Sequence, residues 1–274
     1  MIHINNLKIQ RDTLTFDIPK LNLEFGKLIL VVGPNGNGKT TLLKLLSGGL
    51  KPDLGNVTIH NQSAHDYAIT EGICYIPSQF PFKTSIQLSD LGGYGEALIP
   101  NWDFKLLMQQ AREMGFSNLN RIDEMSQGQR QQILYHFMMQ KQSNLYLLDE
   151  PGLGLDARHL KILREDIQTK LLHVDHTVII ATNSLEHFET IADEIVLMSK
   201  GQCIVSDTVE NLKDRYQGIT QEEWHKTKND DAMVGILNSG VYVIDTKVHH
   251  YERMQRLNLT PILKALLEQH ENIS

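Results

Sequence analysis

The residues best suited to chemistry in this chain form one short run, GPNGNGKT, which extends from Gly33 to Thr40. An apolar run at 28–32 comes directly before it and is typical of a buried strand, and leucines at 42–46 follow it with helical spacing. Glycines at this spacing let the backbone curl so that successive N–H groups face phosphate oxygens, and the helix start adds its positive dipole end. A strand, a glycine loop and a helix in this order predict a loop that binds the phosphates of a nucleoside triphosphate.

Two side chains of this loop have specific predicted tasks. Lys39 is expected to reach the β- and γ-phosphates, and the Thr40 hydroxyl is placed to ligate Mg²⁺. The rest of the predicted nucleotide-binding set surrounds them in the loop: Gly33, Pro34, Asn35, Gly36, Asn37, Gly38 and Thr41. A nucleoside triphosphate and Mg²⁺ are therefore the predicted ligands.

Two adjacent carboxylates form the second set of candidate residues. Asp149 and Glu150 follow an aliphatic run at 145–148 that is typical of another buried strand. Because successive side chains at a strand end alternate in direction, the two acids are expected to face different partners. We predict that Asp149 orients Mg²⁺ or its waters, and that Glu150 is catalytic and polarises the water that attacks the γ-phosphate.

A third segment, MSQGQRQ, precedes a stretch with helical spacing. Ser126 and Gly128 at the start of a helix would form a second and weaker cradle for an anion. Taken alone, the segment predicts only a capped helix, because serine is a common N-cap.

Composition limits the classes of function that the chain can have. Its 274 residues can hold one large α/β domain with an appendage, and its net charge of −7 argues against nucleic acid as a partner, since such faces depend on clustered Lys and Arg. The two cysteines, Cys74 and Cys203, lie outside any CxxC pattern, which is typical of a reduced cytosolic protein. The N-terminus lacks the pattern of a signal peptide, and no apolar run approaches the roughly 20 residues that span a bilayer. Any membrane-spanning part is therefore expected from a partner.

The elements that must position the candidate residues follow a simple order. Residues 1–32 alternate loosely and predict short antiparallel strands at one edge of a sheet. Further along the chain, strands alternate with helices, which favours a mostly parallel sheet. Residues 82–138 have helical periodicity and predict a helical subdomain inserted between core strands.

The last quarter of the chain has a different pattern. Residues 206–274 are predicted to form a small accessory α/β element, in which a polar stretch at 220–232 precedes a strand-like run at 241–244. The closing helix is expected to begin at Thr260, with this threonine as its cap and Pro261 in its first turn.

Taken in order, these segments resemble the motifs of the nucleotide-binding subunit of an ABC transporter, over most of residues 1–205. GPNGNGKTT resembles the family's Walker A motif, LYLLDEP its Walker B motif with the catalytic glutamate, and Gly154-Leu155-Asp156 its D-loop. MSQGQRQQ resembles the signature sequence, although Gln127 stands where the family usually has glycine. The resemblance implies an α/β fold of the ABC ATPase type for 1–205, which is a P-loop NTPase core with a mostly parallel sheet, an antiparallel edge sheet and the inserted helical subdomain.

The resemblance also implies how such a chain works. ATP with Mg²⁺ would be hydrolysed between two ATP-binding subunits, as a homodimer or a heterodimer, with Asp156 in the D-loop. Each ATP would be held between Walker A of one subunit and the signature residues of the other: Ser126, Gln127, Gly128 and Gln129. The expected partner is a transmembrane permease subunit, with export favoured, and the chain would be cytoplasmic and peripheral to the inner face of the cell membrane. The alternative hypothesis is a soluble ABC-type regulatory or assembly ATPase that is not involved in transport.

Three departures from the family pattern bear on the predicted site. Asn183, the second predicted catalytic residue, stands at a switch position where histidine is usual, and because an amide carries no proton or charge, we expect slow hydrolysis. The magnesium-sensing glutamine usually follows a proline directly, whereas here Ser78 stands before Gln79; we favour Gln79 as the metal-site residue, with Ser78 as the alternative. The aromatic residue expected to stack on adenine near 10–13 is missing, and Phe16 is the nearest candidate.

Overall fold

The computed structural model describes residues 1–11, 14–171, 175–226 and 229–273. Its strands are β1 (Ile2–Arg11), β2 (Leu14–Leu23), β3 (Leu28–Val32), β4 (Leu54–Ile59), β5 (Gln62–Ser63), β6 (Cys74–Ile76), β7 (Leu145–Asp149), β8 (Thr177–Thr182), β9 (Glu194–Ser199), β10 (Gln202–Thr208), β11 (Tyr216–Ile219), β12 (Met233–Ile236), β13 (Tyr242–Asp245) and β14 (Gln255–Arg256). Its α-helices are α1 (Lys39–Leu46), α2 (Ala64–Thr70), α3 (Leu91–Leu98), α4 (Phe104–Glu113), α5 (Gln127–Met138), α6 (Ala157–Leu171), α7 (Val209–Arg215), α8 (Gln221–Lys226) and α9 (Leu259–Ile273). Within these described ranges, no helix is both long enough and apolar enough to cross a bilayer.

The central sheet has the strand order β10-β9-β3-β8-β7-β6. Its neighbouring strands run parallel, except that β9 and β10 form an antiparallel hairpin. The strands β3, β7 and β8 are buried along their whole length. Strands covered on both faces need continuous aliphatic sequence, which is why the runs at 28–32 and 145–148 could be assigned from sequence. The predicted mostly parallel sheet is confirmed.

A second sheet has the order β2-β1-β4-β5 and is antiparallel, as predicted for the strands before the phosphate loop, but it is a sheet of its own that packs on a face of the central sheet. Apolar residues of β1 and β2, such as Ile4 and Phe16, are buried in one cluster with Leu42 of α1 and Ile179 of β8. This cluster covers one face of the central sheet, and it holds the start of α1 against the end of β3.

The helical subdomain predicted for 82–138 is present and contains α3, α4 and α5. Its core is separate from that of the sheets and gathers around Leu107, Ile133 and Phe137. Trp102 packs so tightly on Gly95 of α3 that a Cβ at this glycine would lie 2.2 Å from the indole ring. The subdomain therefore has well-defined packing of its own, and α5 carries the signature-like segment at its start.

The C-terminal region departs from the sequence expectation in two places, and it contains one helix for which the sequence made no prediction. The strand β10 continues through position 206, so the boundary between 205 and 206 falls inside a strand of the central sheet. The polar stretch at 220–232 contains the helix α8, whose Trp224 is buried against Tyr242. The prediction that Thr260 caps the closing helix is wrong, because α9 already begins at Leu259, whose N–H is accepted by the Glu189 carboxylate at 3.3 Å.

The C-terminal region also shares a core with the central sheet. Its strands form a sheet of order β12-β13-β11-β14, and α9 packs against β12. Val243 of β13 and Ile262 of α9 are fully buried in the same cluster as Leu28 and Leu30 of β3. This shared core means that α9 helps to cover the face of the central sheet opposite α1.

Candidate active site

The carboxyl ends of β3, β7 and β8 meet at one edge of the central sheet, because the three strands are parallel neighbours. The glycine loop after β3 and the acids at the end of β7 therefore lie around one opening, and the residue after β8 joins them. A cavity of about 350 Å³ occupies this position. Its lining residues are Asn35, Gly36, Gly38, Lys39, Thr40, Thr41, Ser78, Gln79, Gln127, Glu150 and Leu153.

The glycine loop has the curled shape that the sequence predicts. Gly38 adopts a φ of 99°, and a Cβ there would lie 2.7 Å from the Phe16 ring. Gly33 approaches the neighbouring strand so closely that a Cβ would lie 2.2 Å from the carbonyl oxygen of Met198. Both positions exclude side chains for steric reasons, so the glycines at 33 and 38 are structural requirements of the loop.

Lys39 is held inside the loop by carbonyl oxygens. Its Nζ donates hydrogen bonds to Gly33 O at 2.8 Å and Pro34 O at 3.2 Å, and lies 3.8 Å from Glu150 Oε1. Burial lowers the pKa of Lys39, while the negative charges of Glu150 and Asp149 oppose this effect. The ammonium group is therefore preorganised at the base of the cavity, where phosphate oxygens can replace the carbonyl groups as its partners.

Asp149 is buried and receives hydroxyl hydrogen bonds from two other segments. Thr40 Oγ1 donates to its carboxylate oxygens at 2.9 and 3.1 Å, and Ser78 Oγ donates to Oδ2 at 3.0 Å. Hydroxyl and carboxylate oxygens are hard ligands of the kind that Mg²⁺ prefers, so this donor set fits the predicted metal. Gln79, the favoured metal-site residue from sequence, is exposed and lines the cavity next to Ser78.

Glu150 follows β7 directly and lines the cavity together with Lys39 and Thr40. Its φ of 49° is rare for a residue with a side chain, and its N–H is bonded to Ala181 O at 2.8 Å. The carboxylate accepts a hydrogen bond of 3.2 Å from the Asn183 N–H. The strained backbone therefore turns this acid toward the cavity, where an attacking water would have to lie.

Asn183 connects the end of β8 with the glycine loop. Its side-chain nitrogen Nδ2 donates to Asn35 Oδ1 at 3.2 Å, and its side-chain oxygen Oδ1 accepts from Ser184 Oγ at 3.2 Å. The side-chain nitrogen of Asn183 thus faces the glycine loop, which is the loop that the sequence predicts to bind phosphate.

The signature-like residues lie at the start of α5, as predicted. Ser126 and Gln129 form a capping box in which Ser126 Oγ accepts from Gln129 N–H at 3.2 Å and Gln129 Oε1 accepts from Ser126 N–H at 2.8 Å. Gly128 touches the D-loop so closely that a Cβ would lie 2.1 Å from Gly154 O. Gln127 is exposed and lines the same cavity as Lys39.

The D-loop residue Asp156 is exposed and lies at the start of α6. It accepts hydrogen bonds from the N–H of His159 at 2.9 Å and pairs with its ring nitrogen Nδ1 at 2.8 Å. The backbone hydrogen bond to His159 lowers the pKa of Asp156. This acid therefore orders the first turn of the helix that follows the D-loop.

The structure gives a clear answer for Phe16, the nearest candidate for stacking on adenine. Its side chain is fully buried beneath Gly38, so it is a core residue and cannot stack on a base in the cavity. In the range 10–13 where the family pattern expects an aromatic residue, positions 12 and 13 lie outside the described residues.

Sequence reasoning missed one set of contacts at this site. Asn37 bonds through its side chain to the N–H of Lys200, which lies in the turn between β9 and β10. The Lys-Gly pair at 200–201 is a turn signal, but nothing in the sequence connects it to a loop 163 residues earlier.

Comparisons with known proteins point to one family. Residues 16–152 match the family described as ABC transporter. The cytochrome c biogenesis ATP-binding export protein CcmA of Reclinomonas americana is 31% identical over 159 residues, which are 56% of this chain and 72% of that protein. The thiamine import ATP-binding protein ThiQ of Aliivibrio fischeri is 30% identical over 230 residues, which are 77% of this chain and 93% of that protein. A solved structure described as the ATP binding subunit of an ABC transporter has the same fold, with a TM-score of 0.67 at 19% identity over 78% of this chain and 92% of that one.

Proposed function

Because the chain belongs to the ABC transporter family, we propose that it dimerises on ATP and powers a membrane exporter. Membership in this family makes it an ATP-binding subunit with ATPase activity. The proposal also covers dimer formation, as a homodimer or a heterodimer, and export. It further includes the dependence on Mg²⁺ and the role of each residue. The observation that carries the proposed hydrolysis is the meeting of Lys39, Thr40 and Glu150 around one cavity, with the buried Asp149 bonded to Thr40 just behind it.

Each residue at the cavity has a separate proposed role in ATP hydrolysis. Lys39 would exchange its loop carbonyl partners for β- and γ-phosphate oxygens. Thr40 and Asp149 would hold Mg²⁺, whose charge offsets that of the phosphates. Glu150 would accept the proton of the attacking water, and Asn183 would donate its amide hydrogen to the γ-phosphate.

A second ATP-binding subunit would complete each site. Ser126, Gln127 and Asp156 are exposed on the surface of the described residues, where a second subunit can contact them. In the proposed head-to-tail dimer, Ser126 to Gln129 of each subunit would contact the ATP held by the other. The helix dipole at the start of α5 favours an anion there.

The helical subdomain offers a surface for the permease subunit. Tyr94, Leu98 and Leu106 are 41%, 57% and 47% exposed, although each belongs to a residue type that is usually buried. Phe82 packs against Tyr94 with ring centroids 4.9 Å apart, and only Phe80 and Pro81 separate it from Gln79. A permease bound here would be connected through residues 78–82 to the hydrogen-bonded group of Thr40, Ser78 and Asp149, where Mg²⁺ would bind. It would also hold the chain at the inner face of the cell membrane.

Export is proposed from the C-terminal region, since an appendage of this kind resembles those on ATPases of bacterial exporters. The relatives include both directions, as the names of CcmA and ThiQ show for those proteins. The region after β10 would then act as an accessory element attached to the ATPase domain.

The proposal is tested by purifying the tagged chain from its own membranes in mild detergent. We expect a protein with several membrane spans to co-purify and to stimulate ATPase activity, and the Glu150→Gln variant of the same complex to be about 10²- to 10⁴-fold slower. Inside-out vesicles that take up substrate with ATP would support export, and uptake by right-side-out vesicles would contradict it. Co-purification of a partner without membrane spans would favour the regulatory or assembly ATPase instead.

A further inference from the structure

One residue of the phosphate loop, Asn37, accepts two hydrogen bonds from a turn that is distant in the sequence. Asn37 Oδ1 accepts from the Lys200 N–H at 2.5 Å, and Asn37 O accepts from the Gly201 N–H at 3.2 Å. Two successive N–H groups of the turn between β9 and β10 are thus satisfied by a single loop residue.

The turn itself is anchored on its other side. Lys200 and Gly201 both have positive φ values, 48° and 76°, which define a tight hairpin turn. Gly201 O accepts from the Asp17 N–H at 3.0 Å, and a Cβ at Gly201 would lie 2.1 Å from Thr15 O. The turn therefore cannot move without disturbing β2, so it is a fixed point for the loop.

The Asn37 side chain does not point at the nucleotide position. Its neighbours Gly36 and Gly38 line the cavity, whereas the Asn37 amide oxygen turns to the other side and meets Lys200. The loop contains three glycines with positive φ, so an unanchored loop would sample many conformations that bind phosphate poorly.

We propose that Asn37 is a positioning residue, which holds the phosphate loop in its anion-binding shape by anchoring it to the Lys200-Gly201 turn. The inference rests on the proposed nucleotide binding at this loop. The anchor reduces the ordering that the loop must undergo when ATP binds, and such preorganisation strengthens affinity without a new contact to the ligand. A single hydrogen bond of ordinary strength corresponds to about a fivefold change in an equilibrium constant.

The test compares Asn37→Ala with Asn37→Asp in the full-length chain. Alanine removes the side-chain acceptor and leaves the backbone bond from the Gly201 N–H, while aspartate keeps a side-chain oxygen for the Lys200 N–H. Three quantities are measured: the affinity for a fluorescent ATP analogue, the separate kcat and KM of ATP hydrolysis, and the hydrogen exchange of a peptide that contains 200–201.

For Asn37→Ala we expect about fivefold weaker binding, a matching rise in KM with little change in kcat, and faster exchange at the turn. For Asn37→Asp we expect the exchange protection of the turn to return, which a general folding defect would not show. Unchanged affinity in Asn37→Ala overturns the inference, and so does weaker binding without faster exchange at 200–201. Failure of the wild-type chain to bind the analogue would instead contradict the proposed function, so the two failures are distinguishable.

Discussion

The hydroxyl of Ser78 donates a hydrogen bond of 3.0 Å to the carboxylate of Asp149, which also accepts from Thr40. Ser78 is therefore the residue after β6 that touches the cluster suited to Mg²⁺, and Gln79 lies next to it, exposed to solvent. On this geometry we propose Ser78, the alternative from the sequence, as the link between the Thr40–Asp149 pair and the segment that leads to Phe82, and Gln79 stays a prediction to be compared with it.

Replacement of Ser78 by Ala is expected to weaken the affinity of the ATPase for Mg²⁺ more than replacement of Gln79 by Ala. The lost hydroxyl leaves Asp149 without one of its two hydroxyl partners, so the Mg²⁺ concentration for half-maximal activity should rise about fivefold, the scale of one hydrogen bond. A titration of activity with Mg²⁺ at fixed ATP measures this effect. A larger shift in Gln79→Ala than in Ser78→Ala would return the role to the glutamine.

The affinity for ATP is expected to fall as the pH rises through the range below 10.5, the usual pKa of lysine. Burial lowers the pKa of Lys39, so its ammonium loses a proton, and with it the attraction to phosphate, at a lower pH than an exposed lysine would. Above about pH 8 the phosphates of ATP are already ionised, so their own titration does not contribute. Binding of a fluorescent ATP analogue at a series of pH values measures the change.

The matched control for this pH dependence is Lys39→Arg. A guanidinium group keeps its proton throughout the range, because its pKa exceeds about 12. The variant is expected to bind more weakly at neutral pH but with a flatter pH profile. An equally steep profile in the variant would show that a group other than Lys39 titrates.

Replacement of Asn183 by His is expected to increase the turnover of the assembled complex. The amide of Asn183 offers only a neutral donor toward the γ-phosphate, whereas a protonated imidazole offers a charged one, worth about 1 kcal/mol or roughly fivefold in rate. Asn183→Ala is the control and should be slower than wild type, because the donor is lost. A turnover in Asn183→His equal to or below that of wild type would count against this role.

The sequence was sufficient for the parts of the site that lie next to buried strands. Leu28–Val32 and the aliphatic run before Asp149 are buried on both faces, so each leaves a continuous apolar pattern that marks where the strand ends. Because parallel strands present their carboxyl ends at one edge, the meeting of the glycine loop with Asp149 and Glu150 could be predicted before any contact was known.

The parts that escaped prediction depend on tertiary contacts. The bond from Asn37 to Lys200 joins residues 163 positions apart, and no local pattern encodes it. The helix α8 lies in a stretch that is polar by composition, and it is fixed by the packing of Trp224 on Tyr242. Likewise, α9 begins before Thr260 because a carboxylate from Glu189 accepts the first N–H of the helix. In each case a partner far away in the sequence decides the local structure.

Replacement of Ile262 by Ala is expected to destabilise the whole chain, because this side chain of α9 is fully buried in one cluster with Leu28 and Leu30 of the central sheet. The loss should be about 2–5 kcal/mol, the usual cost of such a cavity. Ile69→Ala is the matched control, since Ile69 is 71% exposed, and its effect should stay within about 0.5 kcal/mol.

The two tryptophans allow each part of the chain to be followed separately in this experiment. Trp102 packs on Phe137 of α5, a helix whose Leu134 lies in one cluster with Leu28 of the central sheet, whereas Trp224 is buried in the C-terminal region. Single-tryptophan variants therefore report the denaturant midpoint of each part. If α9 and the central sheet form one cooperative core, Ile262→Ala lowers both midpoints together. If residues 206–274 were an independent unit, only the midpoint reported by Trp224 would fall, and the shared core would then contribute nothing to the stability of the ATPase domain.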